Sequence, residues 1–218
     1  MSDIQFFTEV LFPALLDGTL VTLALIATAA PFGFITGVLV AVGRTYGNPQ
    51  IAYLCRSYVV FFKGCPLILL LLILYYGLPS LGIKFSPFVA AVIGFILCNG
   101  AYNSEYIRGS LSSVKEGQMI AAQALGMTRI QAIRAIVLPQ ALRRALPGIL
   151  NEFIYLIKYS SLAYMVTVIE LTGAGKIVAA RYFDFFEVFA IIGLIYLIIV
   201  SVATVVVGVI EKKIAYPV

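Results

Sequence analysis

The chain has 218 residues, 62% of them hydrophobic and 11% charged, with a formal net charge of +5 and no histidine. A water-soluble domain carries about a quarter charged residues, so this composition leaves too little polar surface for a soluble fold and makes the solvent largely lipid. The missing histidine excludes Ser-His catalysis, histidine metal sites and histidine pH switches, and Cys55, Cys65 and Cys98 lack C-x-x-C spacing, so they read as buried thiols with no metal bound.

A bilayer core about 30 Å thick needs roughly 20 apolar helical residues. In chain order, the uncharged runs 20–42, 85–104 and 188–210 meet that length, and 57–76 (with Lys63) and 145–169 (with Glu152 and Lys158) meet it once an embedded charge is accepted. The expectation is an all-α membrane protein of five transmembrane helices, one domain over residues 1–218. Barrel strands would be shorter and would alternate in polarity. The first run is too long for a cleaved signal peptide and is preceded by acidic Asp3, Glu9 and Asp17. Gly82, Gly94, Gly100, Gly109, Ala90, Ala91 and Ala101 are small enough for close helix approach around the third span, and Tyr46, Tyr53, Tyr75, Tyr76, Tyr164 and Tyr216 serve as interfacial anchors where tryptophan is absent.

Five spans place alternate loops on opposite sides, and the positive-inside rule selects the orientation. With the C-terminus inside, the cytoplasmic segments hold Arg44, Arg56, Arg108, Lys115, Arg129, Arg134, Arg143, Arg144, Lys212 and Lys213, against Lys84, Lys176 and Arg181 outside. Asp3, Glu9, Asp17, Glu170, Asp184 and Glu187 fall outside with the N-terminus. The net charge is therefore a topology signal, with no nucleic-acid footprint.

The stretch 105–144 between the third and fourth spans is too polar to cross and too patterned for a slack linker. Residues 118–125 suit a short helix, Gly126 offers a left-handed stop, and Thr128 with Gln131 forms a capping box that starts another. There Ile130, Ile133 and Val137 form one apolar stripe, Arg129 and Arg134 lie off it, and Pro139 is expected to end the segment. Ala121, Ala122 and Ala124 keep the first helix slim. A knob for a cleft on another protein and a partnerless interfacial hairpin both fit the pattern.

Ala121-Ala122, Gly126, Ile136 and Leu138-Pro139, at these separations, resemble the EAA loop of the permease subunits of type I ABC importers, with Ile120 where the family has its glutamate. Phe62-Lys63-Gly64-Cys65-Pro66-Leu67 is similar to the F-R-G-T-P-L run of the polar amino-acid subfamily, and Tyr75-Tyr76-Gly77-Leu78-Pro79 to its Y-Y-G-L-P. Ala101 to Gly109 resembles A-Y-x-A-E-I-F-R-G, Lys115 to Gln118 the K-G-Q run, and Leu156 to Leu162 resembles L-I-K-D-T-S-L. The resemblance implies a multi-pass plasma (inner) membrane permease that pairs with a second, identical or homologous permease subunit, with two ATP-binding cassette subunits that hold ATP and Mg, and with an extracellular or periplasmic solute-binding protein. This chain has no phosphate-binding loop, so it is a transport subunit with no cofactor of its own. The resemblance makes 110–144 the coupling loop, with Gly117, Ile120, Ala121, Ala122, Leu125 and Gly126 docking on the ATPase.

Ionisable residues inside a span mark candidate sites. Helix rise puts Asn99, Tyr102 and Glu105 of the third span at depths that face Lys158, Tyr159, Ser160 and Ser161 of the fourth, and the resembled subfamily lines its substrate region with Glu105 and 158–161. Glu105 and Arg108 are spaced to neutralise each other, Lys63 to snorkel to the surface, and Glu152 to serve structure. Tyr159 stands where the subfamily has aspartate. Losing that anion favours a polar amino acid with a neutral, amide or acidic side chain over a strongly cationic one. The alternative is a stand-alone secondary transporter or channel using Glu105 and Lys158 as a relay, for which a patterned forty-residue loop has no use.

Overall fold

The computed structural model describes residues 5–214; Asp3 and Tyr216, named above, lie outside them. Every regular element among the described residues is helical. In chain order these are α1 (Phe6–Tyr46), α2 (Pro49–Gly64), α3 (Leu67–Leu81), α4 (Pro87–Ser112), α5 (Glu116–Ala124), α6 (Arg129–Val166), α7 (Leu171–Tyr182) and α8 (Phe185–Ile214). Three, α1, α4 and α8, are long and apolar enough to cross a membrane alone, and the bent pairs α2 with α3 and α6 with α7 bring the total to five.

The centre of the bundle is the contact of α1 with α4. Ala29, Gly33, Gly37 and Ala41 recur every fourth residue on α1 and are all buried, making a smooth stripe along which a second backbone can lie. Thr36 meets Gly100, and Gly37 meets Asn103, so the two helices run parallel. A Cβ on Gly37 would stand 2.6 Å from the Cβ of Asn103. Against this pair α6 runs antiparallel: Gly148 packs on the Tyr106 ring, and Arg144 donates to the Ser113 carbonyl at 2.5 Å. Leu25, Ala29, Leu71, Phe95 and Leu156 fill the space between the helices at mid-height. Ala41, Ile107, Val137 and Ala141 fill it toward the end where α5 lies.

Two spans depart from the straight helices expected. Residues 57–76 bend by 102° at Cys65 and Pro66. Proline disfavours the helical region for the residue before it, and Cys65 is accordingly extended at φ −81°, ψ 126°. Pro139, expected to end the second loop helix, does not end it. A wide π-helical turn over Ile133–Val137 precedes it, and Pro139 sits in the first turn of the α-helical stretch Leu138–Tyr159, where its missing N–H is tolerated. The loop helix and the fourth span are thus one helix. Its apolar stripe is buried at Ile133 and Val137, but Ile130 is exposed. Beyond Tyr159 the chain tightens into a 3₁₀ stretch, Ser160–Val166, passes through a left-handed Thr167, and turns by 51° into α7, an element the sequence reading did not anticipate. The reading of all three cysteines as buried also needs correction. Only Cys98 is; Cys65 is half-buried because it sits at the bend, and Cys55 because it lies on the outer α2 helix.

Glu170 caps α7 and is fully buried. Its carboxylate accepts from the backbone N–H groups of Thr172 (2.8 Å) and Gly173 (2.9 Å) and from the Tyr196 hydroxyl of α8 (3.0 Å), while the Leu171 N–H donates to Thr22 of α1 at 3.1 Å. The acidic cap joins α7 to α8, and the neighbouring Leu171 N–H joins α7 to α1. The end of the bundle that holds α5 collects Arg44, Arg108, Lys115, Arg129, Arg134, Arg144, Lys212 and Lys213, and the other end carries Asp184 and Glu187 with Lys84, Lys176 and Arg181.

Replacing Gly37 by leucine drives a side chain into Asn103 and overpacks the α1–α4 contact. The expected cost is about 1–3 kcal/mol, read as a lowered unfolding midpoint of the purified protein in detergent. Gly208→Ala, with nothing within 4 Å of the added Cβ, leaves the midpoint in place.

Candidate functional site

A cavity of about 570 Å³ opens where the α2–α3 bend faces α4 and α6. The bend contributes Lys63, Gly64, Cys65, Pro66 and Leu67. From α4 come Cys98, Tyr102 and Tyr106, four residues apart and so on one face; from α6 come Glu152, Tyr155, Tyr159 and Leu162, spaced three or four apart for the same reason. Irregular backbone at membrane depth is tolerated where it lines such a cavity, which fits the break at Cys65 and Pro66.

A hydrogen-bonded chain runs back from the cavity wall into the α1–α4 contact. The Tyr159 hydroxyl donates to Glu152 Oε1 at 3.2 Å, Asn99 Nδ2 donates to Tyr159 Oη at 3.4 Å, and Asn103 Nδ2 donates to Asn99 Oδ1 at 2.7 Å. Phe95 backs the Tyr159 ring at 5.6 Å. Glu152 is 3% exposed. Among the described residues the ion pairs are Arg44–Glu105 and Arg108–Glu105, so Glu152 has no cation bound to it. Lys63 faces the same cavity, its Nζ 5.4 Å from the centre of the Tyr102 ring. The cavity thus presents one carboxylate and one ammonium that are not paired with each other.

The residues singled out in the sequence divide between the cavity and its surroundings. Tyr102 and Tyr159 line it, and Asn99, buried behind the wall, holds Tyr159. Glu105 lies outside the lining, clasped by Arg108 at 2.9 Å and by Arg44 from α1. Lys158 is exposed with its Nζ 5.1 Å from the Tyr155 ring centre, and it does not line the cavity. Ser160 and Ser161 return their hydroxyls to their own helix, at the carbonyls of Ile157 (2.7 Å) and Lys158 (2.9 Å). Glu152 and Lys63, read from sequence as structural and as a snorkelling residue, are the two charges that do face the cavity. The spacing of Glu152, Tyr155, Tyr159 and Leu162 carried that signal, and it became legible only once the cavity side of α6 was known.

At the basic end, α5 and the start of α6 form the hairpin expected, with the reciprocal Thr128–Gln131 capping box and Gly126 left-handed at φ +85°. Ile120 and Leu125 project outward, 64% and 85% exposed, beside exposed Ala121, while Ala122 is buried against the bundle. Gly117 has nothing within 4 Å of an added Cβ. Gln140 on α6 donates to Gln118 on α5 at 3.3 Å.

Comparison with known proteins agrees with this architecture. Residues 33–216 match the family described as binding-protein-dependent transport system inner membrane component. YckA of Bacillus subtilis, named as a probable amino-acid ABC transporter permease protein, is 39% identical over 205 residues, 94% of this chain and 91% of its own. A protein of Rickettsia felis named "Putative glutamine transport system permease protein GlnP" is 34% identical over 211 residues, 96% of each chain. A crystal structure of an amino acid ABC transporter with histidines superposes with a TM-score of 0.87 at 29% identity, covering 98% of this chain and 99% of that one. An inward-facing MetNI methionine ABC transporter shares the fold, with a TM-score of 0.75 at 22% identity over 99% and 100% of the two chains. None of these matches favours a stand-alone secondary transporter, and the structure keeps Glu105 and Lys158 apart. A multi-pass membrane protein with this helical fold and these relatives is a permease of the amino-acid ABC importer class, and the chain belongs to the binding-protein-dependent transport system inner membrane component family.

Proposed function

We propose that this chain forms half of the translocation pathway of an ATP-driven importer, with the cavity between the α2–α3 bend, α4 and α6 as its amino-acid site. The observation that carries the reading is the unpaired carboxylate of Glu152 and the ammonium of Lys63 facing one cavity. A zwitterion supplies the missing partner of each: its ammonium meets Glu152, which Tyr159 orients, and its carboxylate meets Lys63. Once the α-ammonium occupies Glu152, no further carboxylate lines the cavity for a cationic side chain. Polar amino acids with neutral, amide or acidic side chains are therefore favoured over strongly cationic ones, and the glutamine assignment of the Rickettsia felis relative supports the amide class.

The basic end of the bundle faces the cytoplasm, by the positive-inside rule, leaving the N-terminus outside. There the hairpin over 110–144 docks on one of two ATPase subunits, which bind ATP and Mg, with Ile120 and Leu125 as the apolar knobs. A second permease subunit completes the pathway, and a solute-binding protein delivers substrate from outside. Because α6 is continuous from Arg129 to Val166, a push on the hairpin reaches Glu152 along about 35 Å of a single helix. Rigid-body movement of this kind is how a packed bundle alternates its access.

Two experiments on the reconstituted complex test the reading. Gly126→Trp places a bulky Cβ-bearing residue at a left-handed position in the docking turn, and it is expected to abolish ATP-driven uptake while the complex still folds; normal uptake overturns the docking assignment. Glu152→Gln removes a charge-assisted bond to the ammonium and is expected to weaken substrate binding about 10- to 100-fold. Tyr159→Asp adds back a carboxylate and is expected to shift uptake from glutamine toward arginine. If the unmodified complex takes up lysine or arginine but not glutamine, glutamate or cystine, the substrate assignment is wrong.

A further inference from the structure

A second cavity, about 610 Å³, lies on the outer side of the bundle between α1, α6 and α8, and every residue lining it is apolar. Leu23 and Ile26 form its back, Leu150, Phe153 and Ile157 one wall, and the α8 stretch from Ile198 to Ile210 the other. That stretch extends about 18 Å along the helix, close to the hydrocarbon depth of one leaflet, about 15 Å. An apolar groove at membrane depth does not hold water, so an apolar occupant must fill it. The dimensions suit one acyl chain.

The mouth of the groove selects the headgroup. On α6, Arg143, Leu150 and Ile157 are spaced by seven residues and lie on one face, so Arg143 continues that wall two turns toward the basic end. On α8, Val206, Ile210 and Lys213 stand in the i, i+4, i+7 relation, so Lys213 continues the other wall at the same end, with Lys212 exposed beside it. Glu211 is the one carboxylate of that stretch, leaving the rim net positive. We propose that this groove is a binding site for one acyl chain of an anionic phospholipid in the leaflet at the basic end, with Arg143 and Lys213 holding the headgroup phosphate. None of these residues lines the amino-acid cavity, so the site stands or falls independently of the transport reading.

The test is native mass spectrometry of the whole complex after exchange into nanodiscs of phosphatidylcholine with a minor fraction of phosphatidylglycerol. Retained phosphatidylglycerol is expected in preference to the more abundant phosphatidylcholine. The double variant Arg143→Gln, Lys213→Gln leaves the packed interior untouched and is expected to lower that retention, by about fivefold for each cation removed. Ala203→Phe fills the groove and is expected to displace lipid of either kind. Undiminished phosphatidylglycerol in the double variant overturns the headgroup assignment, and retained lipid in a folded Ala203→Phe complex overturns the groove. Disulfide cross-linking between two copies through Val206→Cys would also overturn it, by showing a protein subunit in the lipid's place.

Discussion

The close approach of α1 and α4 is the contact from which the remaining geometry follows. α1 presents the small residues Ala29, Gly33, Gly37 and Ala41, and Gly100 of α4 meets Thr36, so that the Gly37 backbone comes close to that of Asn103 and Ser104. In lipid there is little hydrophobic drive between helices, and packing at such short range supplies the attraction instead. Once one face of α4 is committed to α1, the rest of its circumference is assigned. Asn99 and Asn103 lie in the contact, against Gly33 and Gly37, and Cys98, Tyr102 and Tyr106 turn toward α6 and the bend.

Both breaks in the helical path are chemically provided for. At Cys65 the N–H still reaches the Phe61 carbonyl at 2.9 Å, and Leu70 donates to the Pro66 carbonyl at 3.1 Å, so the bend leaves few backbone groups without partners. After Thr167 the first N–H groups of α7 are taken by the Glu170 carboxylate and the Thr22 hydroxyl. A membrane interior tolerates irregular backbone only on those terms. The first break widens into the cavity and the second is sealed by a buried acidic cap, which is why one opens the candidate site and the other is a joint.

The acidic residues of the membrane region show how partner supply separates roles. Glu105 is neutralised by two arginines from two helices, and Glu170 by backbone and phenol donors. Glu152 receives the Tyr159 hydroxyl, with Asn99 behind both, lines the cavity, and among the described residues has no cation within ion-pair distance. A buried charge without a counter-charge is costly in lipid, so the position invites a cationic group from outside the chain.

The sequence alone determined what one-dimensional chemistry encodes: a lipid solvent from 11% charge, spans from apolar run length, the loop hairpin from Gly126 and the Thr128–Gln131 box, and the importer class from ordered motifs. Those signals are local, and they survive folding because each rests on a few consecutive residues. Tertiary structure decided the rest. Which face of α6 meets the cavity separates Glu152 from Lys158: six residues apart, they point about 120° from each other around the helix, and the sequence shows that they differ in direction without showing which direction the cavity takes. The continuity of α6 past Pro139 depended on a π-helical turn, and that the Cys65–Pro66 bend reaches 102° and brings Lys63 to a cavity shared with α4 and α6 is seen only in the fold. Orientation about a helix axis is set by neighbours distant in sequence, and only their packing fixes it.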